Sequence, residues 1–324
     1  MNRALRVVAF GGGQGLSASL RALRLCGRKL DLDITAVVTV GDDGGSSGRL
    51  RAERGGLPPG DLRKALVALA DDAPTHDLTA QLFAHRFDAG FAGDGAGLHG
   101  HTVGNVILAG LLDLLGDPVR ALDHAAELVG AHGRVLPMSN EPVGMEADVV
   151  GLDPADPDRI VTVHGQHAVA VTPGRVVAVR LSPTAPPACP EALAAVHDAD
   201  YLIFGPGSWY TSVIPHLLVP DLAAAIVASD ATRLVTLNLA PDVETAGLSL
   251  AGHLAALRDY LPPLRVDTVI ADLDAVGDPV PMRHAAESLG AQLALAPVAV
   301  AHGDPRHDPA ALAAALVPLL GSAR

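Results

Sequence analysis

Six short runs of almost unbroken apolar residues are spaced along this chain, at 5–10, 34–40, 201–204, 234–238, 266–271 and 293–298. A strand that is apolar throughout, rather than at every second position, is covered on both faces, as strands of parallel sheets are. Between the runs lie segments of helical periodicity at 16–25, 61–70, 103–115, 119–129, 221–229, 250–260 and 310–320. The alternation predicts an α/β fold built on a doubly wound, mostly parallel sheet.

The middle of the chain departs from that rhythm. Residues 135–181 contain short β-like pieces separated by Gly and Pro turns, and they predict a small β-rich excursion. The following "LSPTAPPACP" reads as a linker back to the main sheet. The 324 residues are therefore taken as a single α/β domain, 1–324, carrying this excursion. Aromatics make up only 3% against 49% hydrophobic residues, so Ala, Val and Leu must fill the core.

Charge and composition exclude several functions. With 23 Lys and Arg against 36 Asp and Glu, the formal net charge is −13, which repels nucleic acid and anionic membranes. An anionic ligand must then be held locally, by backbone N–H groups and a few arginines. Cys26 and Cys189 stand far apart and form no metal motif. The expectation is a cytoplasmic protein with no signal peptide and no membrane span.

The apolar runs end in unusual turns. Gly11-Gly12-Gly13-Gln14-Gly15 follows the first strand and precedes a helix, and Gly13-x-Gly15-x-x-Ala18 fits a loose dinucleotide-binding fingerprint. Glycine lets a diphosphate approach the backbone, and the positive end of the helix dipole then faces it. Ser17 adds a candidate hydroxyl donor. The second strand ends in "GDDGGSSGRLR". Asp42 and Asp43 sit where an acid reaches a ribose hydroxyl, and an adjacent pair of carboxylates is also a candidate Mg²⁺ site. Arg49 and Arg51 bring charge suited to a diphosphate.

The same loop contains Gly44-x-Ser46-x-Gly48, the nucleophile-elbow pattern of α/β hydrolases. The charged, glycine-broken stretch after Gly48 argues against the helix that motif needs. Further on, "LPPGDLRKAL" starts a helix with Asp61 near its cap and Arg63 and Lys64 in its first turn. "LHGHTVGN" places His99, His101 and Asn105 at the start of another, where capping or ligand hydrogen bonding is the expected role rather than zinc binding. "YLIFGPGSWYTS" ends a buried strand in Gly205-Pro206-Gly207-Ser208, which would face the first glycine turn if the two strands are neighbours.

Taken together, "GGGQGLS…LR", "ITAVVTVGDDGGSSGRLR", "PPGDLRKAL", "LFAHRF", "GHTVGN", "ADYLIFGPGSWYTSVIPHLLV" and "RHDP" resemble the bacterial gluconeogenesis-factor (YvcK-type) branch of the CofD-like superfamily. The resemblance implies a Rossmann-like fold. It also implies a protein that binds UDP-sugars such as UDP-N-acetylglucosamine and is linked to cell-wall synthesis, cell shape and growth on gluconeogenic carbon sources. No required cofactor follows from it. The CofD enzymes instead transfer 2-phospholactate from a nucleotide-activated donor with a divalent metal, and that reading would add Mg²⁺ at Asp42 and Asp43. Expected partners are cell-wall enzymes or a Ser/Thr kinase, for which Ser322 is a C-terminal hydroxyl, and a second copy of the chain.

Site residues carried over by the resemblance are Gly12, Gly13, Gly15 and Ser17 in the phosphate-facing turn, and Asp42, Asp43, Ser46, Ser47 and Arg49 in the acidic loop. Asp61, Arg63 and Asn105 lie beside that loop. Gly205, Gly207 and Ser208 form the second-half loop, and Arg306 is a clamp on the diphosphate. The chain departs from the branch at Gln14 in place of Thr, at Gly41 in place of Ala, and in a shortened "NLAPDVETAGLSLAGHL" where Ala246 replaces an acid. The last puts the sugar-end contacts in doubt.

Overall fold

The computed structural model describes residues 3–88 and 97–321, so Ser322 lies outside the described residues. All six apolar runs are strands: β1 (Leu5–Gly11), β2 (Leu32–Val38), β7 (Tyr201–Phe204), β8 (Thr232–Thr236), β9 (Thr268–Asp272) and β10 (Gln292–Ala296). A seventh, β3 (Arg134–Pro137), joins them in an all-parallel sheet of order β10-β9-β8-β7-β1-β2-β3. The β-rich excursion is therefore shorter than its sequence suggests. Residues 134–137 belong to the main sheet, and a separate antiparallel sheet is formed by β4 (Gly144–Val150), β5 (Val161–His164) and β6 (Arg175–Ser182), in the order β5-β4-β6.

The strand order fixes where a ligand can bind. From β1 the chain runs outward through α1 (Gly13–Cys26) to β2 and then β3. It later returns to the other side of β1 and runs outward again through β7, β8, β9 and β10. Right-handed crossovers in opposite directions place their helices on opposite faces. They also leave a crevice at the β1/β7 boundary, outside the carboxyl ends of the strands. The core beneath is continuous: Phe10 and Phe204, paired across β1 and β7, stack with ring centroids 4.9 Å apart.

The sequence suggests no helix after Gly48, yet α2 (Gly45–Arg54) occupies that stretch. It is followed by α3 (Pro59–Leu69), α4 (Pro74–Ala84), α5 (Val103–Leu115) and α6 (Pro118–Leu128). The first turn of α2, Gly45-Ser46-Ser47-Gly48, is poor in helix formers, and tertiary contacts hold it instead. A Cβ on Gly48 would strike the Asp43 carbonyl, and Ser46, Ser47 and Leu50 are buried. Among the described residues, no single helix is long and apolar enough to cross a membrane.

Candidate functional site

The two glycine loops meet as the sequence anticipates. β1 and β7 are neighbours, and Gly205 N donates to the Phe10 carbonyl at 3.2 Å. The loops pack so closely that a Cβ on Gly15 would fall on the Pro206 carbonyl, 2.5 Å from the Gly207 Cα. Gly13 has φ +61°, a left-handed conformation that favours glycine. The N-cap of α1 is Gly12 and no side chain caps it, which leaves first-turn N–H groups free for an anion.

Gly12, Gly13, Gly15, Gly207, Ser208 and Arg306 all line one cavity of about 720 Å³, within the size range of small-molecule sites. One wall is α1, through Gln14, Ala18 and Arg21. The other is the loop after β8, with Leu239, Ala240, Pro241 and Asp242, and the segment after β10 that includes Pro305 and His307.

Side chains fix the second loop from below. Asn238 grips Gly207 by its amide, donating from Nδ2 to the carbonyl at 2.9 Å and accepting from the N–H at 2.8 Å. Ser19 Oγ donates to the Gly205 carbonyl at 2.8 Å. Glu244, 2% exposed, accepts from the Tyr210 N–H at 2.8 Å and so caps the turn Trp209–Val213 that follows the loop. Burial pushes its carboxyl up to about 7. Glu244 thus supports the loop rather than meeting a sugar.

Two carried-over residues on this side play other parts. Ser17 is buried, and its hydroxyl donates back to the Gly13 carbonyl at 2.9 Å, as mid-helix serines commonly do, so it is no phosphate donor. Arg306 lines the cavity, but its guanidinium forks onto Asp304 at 3.0 and 2.7 Å.

The acidic loop forms a second, mostly buried region. Asp42 accepts from Gly44 N at 3.0 Å, and its carboxyl is raised first by burial and then by the neighbouring Asp61. Asp61 is ion-paired with Lys64 at 2.9 Å. A Cβ on Gly60 would lie against Ser47 Oγ and 2.8 Å from Asp42 Oδ2, so the start of α3 is pressed onto the loop. A Cβ on Gly12 would sit 2.7 Å from Asp61 Oδ2, which places Asp61 directly beneath the first glycine turn.

Farther out, Arg63 Nε donates to Asn105 Oδ1 at 2.9 Å, and Asn105 Nδ2 donates to Ser46 Oγ at 3.1 Å. Ser46 Oγ also lies 3.0 Å from His101 Nδ1 and accepts from Thr102 N at 3.3 Å. Burial, then Arg49, lowers the His101 pKa, so the imidazole is neutral and Nδ1 accepts the serine proton. The helix an elbow would need does exist here, but Ser46 is no nucleophile. It is 4% exposed and both its lone pairs are engaged by Asn105 and Thr102. Arg49 donates to the His99 carbonyl at 2.7 Å and lines a shallow surface depression with Arg86 and Gly100.

Comparison with known proteins agrees with this architecture. The family profile described as 2-phospho-L-lactate transferase CofD matches residues 7–293. The chain belongs to the CofD family. Within it, a protein of Mycobacterium tuberculosis is 49% identical over 314 residues, covering 96% of this chain and 89% of that one. The gluconeogenesis factor of Bacillus subtilis is 35% identical over 289 residues, covering 89% and 85%. The crystal structure of a UPF0052-family member from Bacillus halodurans superposes with a TM-score of 0.82 at 32% identity, covering 98% of this chain and all of that one.

CofD-family membership raises the question of a metal, and the residues do not assemble one as the sequence suggests. Asp42 and Asp43 are adjacent, but their carboxylates take different partners. Asp43 Oδ1 accepts from His167 N at 2.8 Å, in the short helix Gln166–Ala170 that follows β5, while Asp42 turns to Ser47 and Asp61. The Lys64 ammonium already neutralises Asp61. Among the described residues, no group of three His, Cys, Asp or Glu side chains comes together as a metal site. Sequence reasoning missed Asn238 and Gln14 as cavity residues and Glu244 as a support. For Asn238, the last residue of an apolar run at a sheet edge, position was the available signal.

Proposed function

We propose that this CofD-family chain is a cytoplasmic regulatory protein that binds a nucleotide sugar of the UDP-N-acetylglucosamine type. Through that ligand it would influence cell-wall precursor synthesis, cell shape and growth on gluconeogenic carbon sources. The observation that carries the reading is the β1/β7 crevice. An uncapped helix start and two interlocked glycine loops open onto one cavity of about 720 Å³. Backbone N–H groups supply diphosphate recognition, and the apolar wall at Leu239 and Pro241 suits a flat base.

A second reading, a transferase moving a phospho-acid from a nucleotide-activated donor, is favoured by one feature, Asp61 beneath the glycine turn with Asp42 as its acidic neighbour. Calorimetric titration with UDP-N-acetylglucosamine, with and without Mg²⁺ and against UDP and NAD, separates the two. Binding that needs the sugar and ignores Mg²⁺ supports the regulatory binder. Binding that requires Mg²⁺ supports the transferase, and no binding at millimolar UDP-sugar overturns the first reading.

A further inference from the structure

The cavity has two guanidinium groups, and they are in different states. Arg306 is forked onto Asp304, while Arg21 makes no hydrogen bond or ion pair with any described residue. Gln14, Ala18 and Arg21 follow one face of α1, at i, i+4 and i+7, so Arg21 stands at the far end of the wall that begins at the glycine turn. Arg21 and Pro309 also border a second cavity of about 540 Å³ farther along α1. Its other arginines, Arg24 and Arg28, are both paired with Asp72, at 2.9 and 3.5 Å. Arg21 is thus the uncommitted cation where the two spaces meet.

Its reach is set by helix geometry. Arg21 lies eight residues beyond Gly13, about 12 Å along the axis at about 1.5 Å per residue. Long helical side chains lean back over the preceding turn, which brings the guanidinium to roughly half that distance from the first-turn N–H groups. A diphosphate held at the helix start places its sugar over Gln14 and Ala18, and a substituent on the far edge of that sugar next to Arg21. A planar, permanently charged fork with no protein partner matches a carboxylate.

Resting on the nucleotide-sugar reading above, we propose that Arg21 selects ligands with a carboxylate on the sugar, so that the preferred ligand class is acidic nucleoside diphosphate sugars. The test uses two matched pairs on the full chain at low salt: UDP-glucose against UDP-glucuronate, and UDP-N-acetylglucosamine against UDP-N-acetylmuramate. The acid of at least one pair should bind roughly tenfold tighter than its neutral partner, the strength of one charge-assisted hydrogen bond. Arg21→Gln should erase that difference and leave the neutral sugar within about twofold. Because Arg21 is exposed and unpartnered, the variant should melt within about a degree of the parent. Equal binding within both pairs, or a preference that survives Arg21→Gln, overturns the proposal and leaves the nucleotide-sugar reading intact. So does a variant that weakens neutral and acidic sugars alike, since Arg21 would then serve the diphosphate. No binding by any of the four overturns both.

Discussion

The residues expected to form one site fall into two groups that behave differently in the fold. At the β1/β7 crevice, glycines bring two loops into contact, with an open cavity in front. At the end of β2, the Asp42–Arg49 loop is a wired interior. Its serines, Asn105, Arg63 and His101 are engaged with one another and largely buried. Polar residues at a sheet edge can either face a ligand or hold the faces that do, and only their partners tell which. On the function proposed above, the crevice is the binding face. The acidic loop, with Asp61 beneath the glycine turn, is on that reading the scaffold that keeps the crevice in shape.

Breaking the crevice should have the largest effect. Gly15→Ala drives a Cβ into the Pro206 carbonyl, where backbone cannot yield cheaply. It should cost about 3 kcal/mol in denaturant unfolding and abolish UDP-sugar binding in calorimetry. Next comes Glu244. Its folded-state pKa of about 7 lies above the ordinary value of 4.5, so the folded chain holds the extra proton. Stability is therefore full below pH 4.5 and falls by about 3 kcal/mol as pH rises to 7. Glu244→Gln should remove that slope in unfolding curves taken between pH 4.5 and 8. An unchanged slope would show that Glu244 is not the titrating support.

On the other side, Arg63→Ala leaves Asn105 Oδ1 buried without its donor. It should cost about 2 kcal/mol of stability while UDP-sugar affinity changes less than about threefold. A loss of affinity matching the loss of stability would place the acidic network inside the binding site and collapse the contrast. The smallest effect sharpens it. Asp304→Ala frees the Arg306 fork and should tighten UDP-sugar binding by about two- to fivefold, with little change in melting temperature.

Much of the fold was legible because parallel strands covered on both faces are apolar without alternation, and all six such runs are strands. The adjacency of the two glycine loops was legible for the same reason, once the first-half and second-half strands were placed in one sheet. What escaped reading has physical causes. β3 is four residues at a sheet edge and begins at an exposed Arg134, so it lacks the continuous apolar signature. The α2 helix hides because its first turn is Gly-Ser-Ser-Gly, which docking rather than propensity holds. Asp42 and Asp43 looked like one metal site because they are adjacent, yet one carboxylate turns to Gly44 and the other to His167. Ser17 looked like a phosphate donor because the motif carries a hydroxyl, but one turn into a helix the hydroxyl's nearest acceptor is its own backbone.

A crystal structure with UDP-N-acetylglucosamine bound tests the central claim most directly. The account predicts the diphosphate within hydrogen-bond distance of the Gly13–Gly15 N–H groups, with the rest of the ligand between α1 and the Leu239–Asp242 loop. A diphosphate seated instead on Arg49 and the start of α2 would contradict it, and would move the site to the side described here as scaffold.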